Sequence, residues 1–318
     1  MTVKPEYIYP EKIIIGTRGS PLALVQANMV KDQIDKTGQN VSVELRIIRT
    51  SGDWSPSYGE VALQACAGGK AQFAKEIEEA LLREEIDIAV HSMKDMETEL
   101  PDGLIIPYML PREDNRDALL SINGQNIRDL PDGCTVGTVS VRRKSFLLNV
   151  RPDLNVVPLR GNVQTRIDKL KSGQVDATLL ACAGLNRLGL SDEITSVIDR
   201  DVMLPSVGQG AVGIEMRRDD VDRLSFIGQF SCCNTYICVE AERAVLRSLG
   251  GSCHTPVGVH ATYGGGVINL VVKVVSLDGK DVWSKDISEN VGSVEEAVAI
   301  GSKIGEQLRS LVPEGVLD

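Results

Sequence analysis

The chain has 318 residues, of which 42% are hydrophobic, 25% charged and 4% aromatic; 34 Lys plus Arg stand against 44 Asp plus Glu, a formal charge of −10. That length fills two or three domains with substantial cores. The acidic balance argues against nucleic acid or an anionic membrane as the main partner, because both select a broad basic field.

Residues 1–12 are polar and contain proline, unlike the apolar core of a signal peptide, and no apolar run is long enough to span a bilayer. The seven cysteines (66, 134, 182, 232, 233, 238 and 253) are an odd number with no paired framework. Reduced thiols in a cytoplasmic setting are expected, with an organelle stroma or matrix as the alternative had a transit peptide been trimmed.

In chain order, residues 12–17 (KIIIGT) read as a buried strand, followed by a helix capped by Ser20 with Pro21 first and Leu22, Val25, Met29 and Ile34 on its apolar face. Residues 41–50 alternate and are β-branched, so a strand is expected. Residues 51–70 are Gly- and Ser-rich without periodicity and read as a lid-like loop. Residues 73–83 are helical, and 86–92 form a short apolar strand. After a Pro-rich, charged crossing over residues 107–117, strands at 119–122, 135–138, 155–160 and 176–181 alternate with helices at 140–150 and 163–171. Two successive β/α regions predict an α/β fold of two doubly wound domains facing each other. Residues 206–216 (SVGQGAVGIEM) are expected to return to the first domain. From residue 236 the order changes to a helix, strands near 257–263 and 267–276, and a helix over 294–311, a small α+β unit. The expected domains are 1–112 with 206–230, then 113–205, then 231–318.

Four segments place arginine where a predicted strand runs into a predicted helix: TRGSP (17–21), TVSVRR (138–143), LRGNVQTR (159–166) and GLNR (184–187). A helix N-terminus offers unpaired N–H groups and positive dipole, and guanidinium adds a bidentate partner for carboxylate or phosphate. Repetition of the device implies a ligand with many negative groups. A lone arginine usually makes a surface ion pair; several at matching places favour ligand contact. Arg142 and Arg143 are about 100° apart on a helix and can serve different carboxylates. Arg166 lies beside the apolar stripe Val163, Ile167 and Leu170.

Asp95, in VHSMKD (90–95), closes a strand among cations and is expected to stay ionised. It can stabilise a cation, take a proton or neutralise Lys94. His91 reads as a hydrogen-bonded core residue. GGSCHTP (250–256) mounts Cys253 on a glycine-rich turn, where a thiol near basic groups becomes a nucleophile or attachment point. Cys232, Cys233, Cys238, Cys253 and His254 match no usual zinc spacing, so no metal is expected. There is no GxGxxG on a βαβ unit, Walker loop or HExxH.

These segments, with GGKAQFAKE (68–76), AGLNRLGL (183–190) and VGQGA (207–211), occur in an order that resembles the porphobilinogen deaminase (hydroxymethylbilane synthase) family from about residue 13 to 311. The resemblance implies two periplasmic-binding-protein-like domains across a cleft and a third domain with a loop cysteine. It further implies a dipyrromethane cofactor joined to Cys253 by a thioether, porphobilinogen as substrate, and a monomer that engages neither nucleic acid nor membrane. Asp95 corresponds to the catalytic carboxylate, in a water-poor cleft. Ser92, Lys94, Thr138, Ser140, Arg142, Arg143 and Arg166 correspond to cofactor contacts. Arg18, Ser20, Arg160, Arg187 and Gln209 correspond to substrate contacts, with Lys70 and Phe73 on the loop over the cleft. Val139, Ala71-Gln72 and Glu97 depart from the family's common serine, Gly-Leu and proline.

Overall fold

A computed structural model describes residues 7, 9–50, 74–124, 126–252 and 255–317. The expected lid at 51–70, Lys70, Phe73 and Cys253 lie outside the described residues.

Among these residues the chain forms three sheets. The first has order β2-β1-β3-β10-β4, built from β1 (Lys12–Thr17), β2 (Ser42–Ile47), β3 (Ile88–Ser92), β4 (Leu104–Met109) and, much later, β10 (Val212–Arg217). β1 runs parallel to β2 and β3, whereas β10 is antiparallel to β3 and β4. Helix α1 (Pro21–Lys36) starts as its sequence dictates: Ser20 Oγ accepts the Ala23 N–H at 3.3 Å and Pro21 occupies the first turn. Its Ala27, Val30 and Ile34 pack on Ile13, Ile15, Val90 and Ile214. Helix α2 (Lys75–Leu82) covers the opposite face with Ile77, Ala80 and Leu81 against Ala89 and Leu104.

The second sheet, β7-β6-β8-β5-β9, comprises β5 (Asp117–Ser121), β6 (Thr135–Gly137), β7 (Asn155–Val157), β8 (Ala177–Ala181) and β9 (Ser196–Val197), with helices α3 (Val141–Val150), α4 (Val163–Lys171) and α5 (Cys182–Arg187). It repeats the first sheet's logic, parallel through β7, β6 and β8 and antiparallel at β5. The third is a meander of β11 (Val257–Gly264), β12 (Val267–Val275) and β13 (Val282–Asn290), covered by α6 (Cys233–Leu249) and α7 (Val294–Arg309). α7 crosses α6 closely because Gly301 and Gly305 carry no Cβ; an added one would stand 2.3 Å from Ala241 O and 2.6 Å from Val245 O.

Two expectations need correction. The crossing between the sheets is residues 110–116, since Pro107 to Met109 belong to β4. Proline is accommodated because β4 is an edge strand and its register slips between Ile214 and Met216, placing Ile106 and Pro107 opposite Glu215. β13 was not expected; its surface alternates exposed and half-buried and carries no apolar run.

The crossing is tied to the third unit through Arg112. Its guanidinium forms a two-pronged bond to Glu242 of α6, at 2.7 and 3.0 Å, and its Nε donates to Gln209 O. Glu242 is fully buried and also accepts the Gly208 and Ala261 N–H groups. One carboxylate thus joins both crossings and the third sheet. Replacing it strands a half-buried guanidinium and empties a fully buried site, so Glu242→Ala is expected to lose about 3 kcal/mol. Urea unfolding of the variant should show a clearly lowered midpoint; an unchanged midpoint would remove this pair from the account.

Candidate active site

The carboxyl end of β3 passes into a single 3₁₀ turn, Met93–Asp95. The Met93 N–H bonds Ala211 O, and the turn leans on Gly208, whose left-handed φ of +67° and missing Cβ admit the Met93 side chain. Gly210 (φ +86°) lies so close to Glu113 O that a Cβ would stand 2.5 Å away. VGQGA is therefore a packing hinge where the two crossings touch. It presents Lys94 and Asp95 to the cleft between the first two sheets.

Two adjoining cavities meet at Met96. One, beneath the start of α1, is lined by Arg18, Ser20, Gln26, His91, Ser92 and Asp95. The other is lined by Lys94, Ser140, Arg142, Ser206, Arg243 and Ser252. Asp95 is exposed rather than enclosed in a water-poor cleft, because it sits at the outer end of the turn. Ser252 and Thr255 bond each other: the Ser252 N–H donates to Thr255 Oγ1 at 2.8 Å, and the Thr255 N–H to Ser252 O at 3.0 Å.

Arg142 and Arg143 occupy the first turn of α3, capped by Ser140, whose Oγ accepts the Arg143 N–H. Both are buried, and both close on Asp117, itself fully buried at the start of β5. Arg142 Nη1 is 2.8 Å from Asp117 Oδ2 and donates to Leu204 O; Arg143 reaches Asp117 Oδ1 at 2.8 Å and Leu179 O at 2.9 Å. Burial alone would raise the Asp117 carboxyl, but the two guanidiniums beside it hold it well below the usual carboxylate range. Burial pushes Arg142 downward, as does its neighbour Arg143, against the pull of Asp117. Burial likewise lowers the Lys94 ammonium, with Asp95 and Asp117 opposing and Arg143 and Arg166 adding to the effect. Arg142 Nε has no hydrogen-bond partner among the described residues. The arginine pair that the sequence assigns to ligand is thus half neutralised by an aspartate the sequence reading missed. Lys94, Arg142 and Arg143 still outnumber Asp95 and Asp117, and that surplus can be met by carboxylates of a ligand.

The remaining expected residues are placed as follows. Arg166 Nε donates to Gly161 O, and Arg160 is almost fully buried just before α4, its carbonyl accepting Lys169 Nζ. Thr138 is buried, with Oγ1 accepting the Ser140 N–H. Ser92 exchanges hydrogen bonds with Gln26. Arg187 ends α5 rather than opening it, a correction that follows from α5 starting directly after β8; Nη2 donates to Gly210 O, and burial pushes the group down. Gln209 is buried with Nε2 spent on Asn115 O and Asp117 Oδ1, so it braces the arginine pair and lines neither cavity. His91 is the hydrogen-bonded core residue expected, 2.9 Å from Glu215. Arg243 was missed: it comes from α6, is buried, and donates to the Glu97 and Thr98 carbonyls. Because the Glu97 contact is through backbone, proline there would serve equally.

A covalently held polycarboxylate suits this lining, since a buried guanidinium nitrogen without a partner, an ammonium and the flanks of residue 253 share one cavity wall. Asp117→Asn is expected to lower stability at pH 7 by about 3–5 kcal/mol, the cost of breaking a buried pair. Because the folded carboxyl is depressed, its contribution is present above about pH 4 and is lost as acid protonates the unfolded chain first. The gap between wild type and variant in urea midpoint should therefore shrink below about pH 4; a gap that widens there would contradict the pairing.

Comparison with known proteins accords with this lining. Residues 13–225 match the family domain described as "Porphobilinogen deaminase, dipyromethane cofactor binding domain", and residues 236–310 match "Porphobilinogen deaminase, C-terminal domain". Porphobilinogen deaminase of Chlorobaculum tepidum is 42% identical over 310 residues, covering 96% of this chain and 97% of that protein. The Nitrobacter winogradskyi protein of the same name is 46% identical over 307 residues, covering 94% and 93%. Among solved structures, the methionine-binding protein MetQ aligns with 17% identity and a TM-score of 0.43 over 71% of this chain and 93% of its own. The aliphatic sulphonate-binding protein SsuA of Escherichia coli aligns with 14% identity and a TM-score of 0.43 over 96% and 89%. On the sequence matches, which run nearly the full length of both partners, the chain belongs to the porphobilinogen deaminase family, a family of transferases.

Proposed function

We propose that the chain joins four porphobilinogen molecules, with loss of ammonia, onto a dipyrromethane primer on Cys253 and releases hydroxymethylbilane by hydrolysis, in tetrapyrrole biosynthesis. The observation that carries this reading is the surplus of buried cationic groups around Lys94, Arg142 and Arg143, with one acid, Asp95, beside it. The primer, when bound, supplies a free pyrrole α-carbon as nucleophile. Lys94, Ser92, Thr138, Ser140, Arg142, Arg143 and Arg166 are its proposed holders. Arg18, Ser20, Arg160 and Arg187 are assigned to incoming substrate, with Lys70, Phe73 and Gln209 assigned on family correspondence.

Each porphobilinogen brings two carboxylates, which guanidinium binds in pairs with fixed orientation. Loss of ammonia leaves a cationic azafulvenium whose charge spreads to the pyrrole N–H. The Asp95 carboxylate stabilises that cation; with ligand filling the cleft above it, water is displaced and a fixed charge acts more strongly. Asp95 also takes the proton released after carbon–carbon bond formation. Domain limits at 1–112 with 206–230, 113–205 and 231–318 are supported by the grouping of strands into three sheets. A cytoplasmic site is supported by five unpaired cysteines among the described residues, and a monomer by family correspondence. No described helix is long and apolar enough to cross a membrane.

Asp95→Asn is expected to keep the dipyrrole but lose at least about 100-fold in turnover, as expected when a direct acid–base group is removed. Porphobilinogen consumption at a near-normal rate would refute its role. Cys253→Ser should yield protein that gives no dipyrrole colour with acidic Ehrlich's reagent; a coloured, covalently loaded variant would overturn the attachment site.

A further inference from the structure

The layer between α2 and the first sheet is apolar except at one place. Strand alternation turns Ile88, Val90 and Ser92 toward α1, and Ala89 and His91 toward α2. Pairing of β3 with β10 sets Ala89 opposite Glu215 and His91 opposite Gly213, so His91 and Glu215 meet diagonally on the α2 face. His91 Nε2 and Glu215 Oε2 are 2.9 Å apart, and both side chains are buried. Glu215 Oε1 has no hydrogen-bond partner among the described residues, and Glu215 faces the two-residue bulge of β4. From α2, Glu78 enters the same layer with 6% of its surface exposed, among Ile77, Ala80 and Leu81. Burial, then Glu215 beside it, pushes the Glu78 carboxyl up to about 7, with His91 opposing and Glu97 adding. Arg243 of α6 is the cation that faces Glu215 from the third unit.

Three ionisable side chains in an apolar layer are costly and contribute less to stability than apolar residues of similar volume. Their position supplies the reason. His91 lines the cavity that also holds Asp95, while its Nε2 is held by Glu215 in the layer behind. We propose that His91, Glu215 and Glu78 form a buried proton relay that carries away, behind Asp95, the proton released at each ring addition.

The proposal rests on the activity inferred above, whose balance requires such an exit. The C–N bond of the substrate's ammonium breaks and its electron pair leaves with ammonia. The new C–C bond uses a π pair of the attacking pyrrole, and that ring's C–H bond then breaks and returns the pair to the ring. One proton is left on Asp95 per addition. Asp95 is exposed when the cleft is open, but growing product occupies that side. His91 then offers the inner route: Nε2 is committed to Glu215, and Nδ1 is the ring's other proton-bearing position. These residues act through Asp95 and do not touch substrate.

The test is Glu78→Gln, isosteric and uncharged, in the loaded enzyme. Turnover should fall about tenfold at saturating porphobilinogen with KM unchanged, less than the ~10²–10⁴ of a direct acid–base group. The ionisation near pH 7 should vanish from the kcat profile. Independently of activity, infrared difference spectra of wild type should show a buried carboxylic-acid band that titrates near pH 7 and is missing from the variant. An unaltered kcat profile, or a band that survives in the variant, overturns the relay. If wild type itself consumes no porphobilinogen, the activity reading falls instead, and the relay with it.

Discussion

One fully buried carboxylate, Asp117, carries two guanidiniums. Desolvating an ion costs several kcal/mol unless a partner offsets it, and here one anion serves Arg142 and Arg143 together. Two guanidiniums on one anion leave a local excess of positive charge, to which the nearby Lys94 ammonium adds. A site of this kind is complete only when an anion enters. Polycarboxylate binding, fixed ring orientation and tolerance of a lengthening anionic chain all follow from that imbalance on a body that is acidic as a whole.

The same constraint explains why the crossings are so heavily bonded. Asp117 opens β5 directly after the crossing, Gln209 of the returning crossing donates to it, and Arg112 between them is held by Glu242. The charge cluster therefore sits on the hinge line between the two sheets. Its flanking braces come from α6, the helix that ends at Leu249. Arg243 of the same helix reaches the carbonyls after the Asp95 turn. The arginine pair and the Asp95 turn are thereby held by one frame rather than by independent loops.

Much of this frame was legible in the sequence where the governing physics is local. Ser20-Pro21 marks a helix start because side-chain caps act within three residues, and the cap is present; Ser140 and Asn162 cap α3 and α4 in the same way. The alternation of strands and helices gives the two doubly wound sheets. Tertiary pairing was not legible. Nothing near Asp117 announces that its partners are Arg142 and Arg143, and a charged, Pro-rich crossing reads as solvated. Pro107 hid β4, because a proline at an edge bulge looks like a break. β13 escaped because a solvated edge strand needs no apolar run. Arg187 was placed at a helix start because α5 is only six residues long and has no side-chain cap. Glu78 and Glu215 carry no local signal in the sequence, since only tertiary packing buries them.

The central claim is that this cationic lining holds a polycarboxylate chain covalently anchored beside Asp95. Intact-protein mass spectrometry of the purified wild-type chain, before and after brief exposure to porphobilinogen, tests it most directly. The account predicts a mass above that of the 318-residue polypeptide by one dipyrrole, then a ladder of heavier species spaced by one deaminated porphobilinogen unit. A bare polypeptide mass that porphobilinogen leaves unchanged would contradict it.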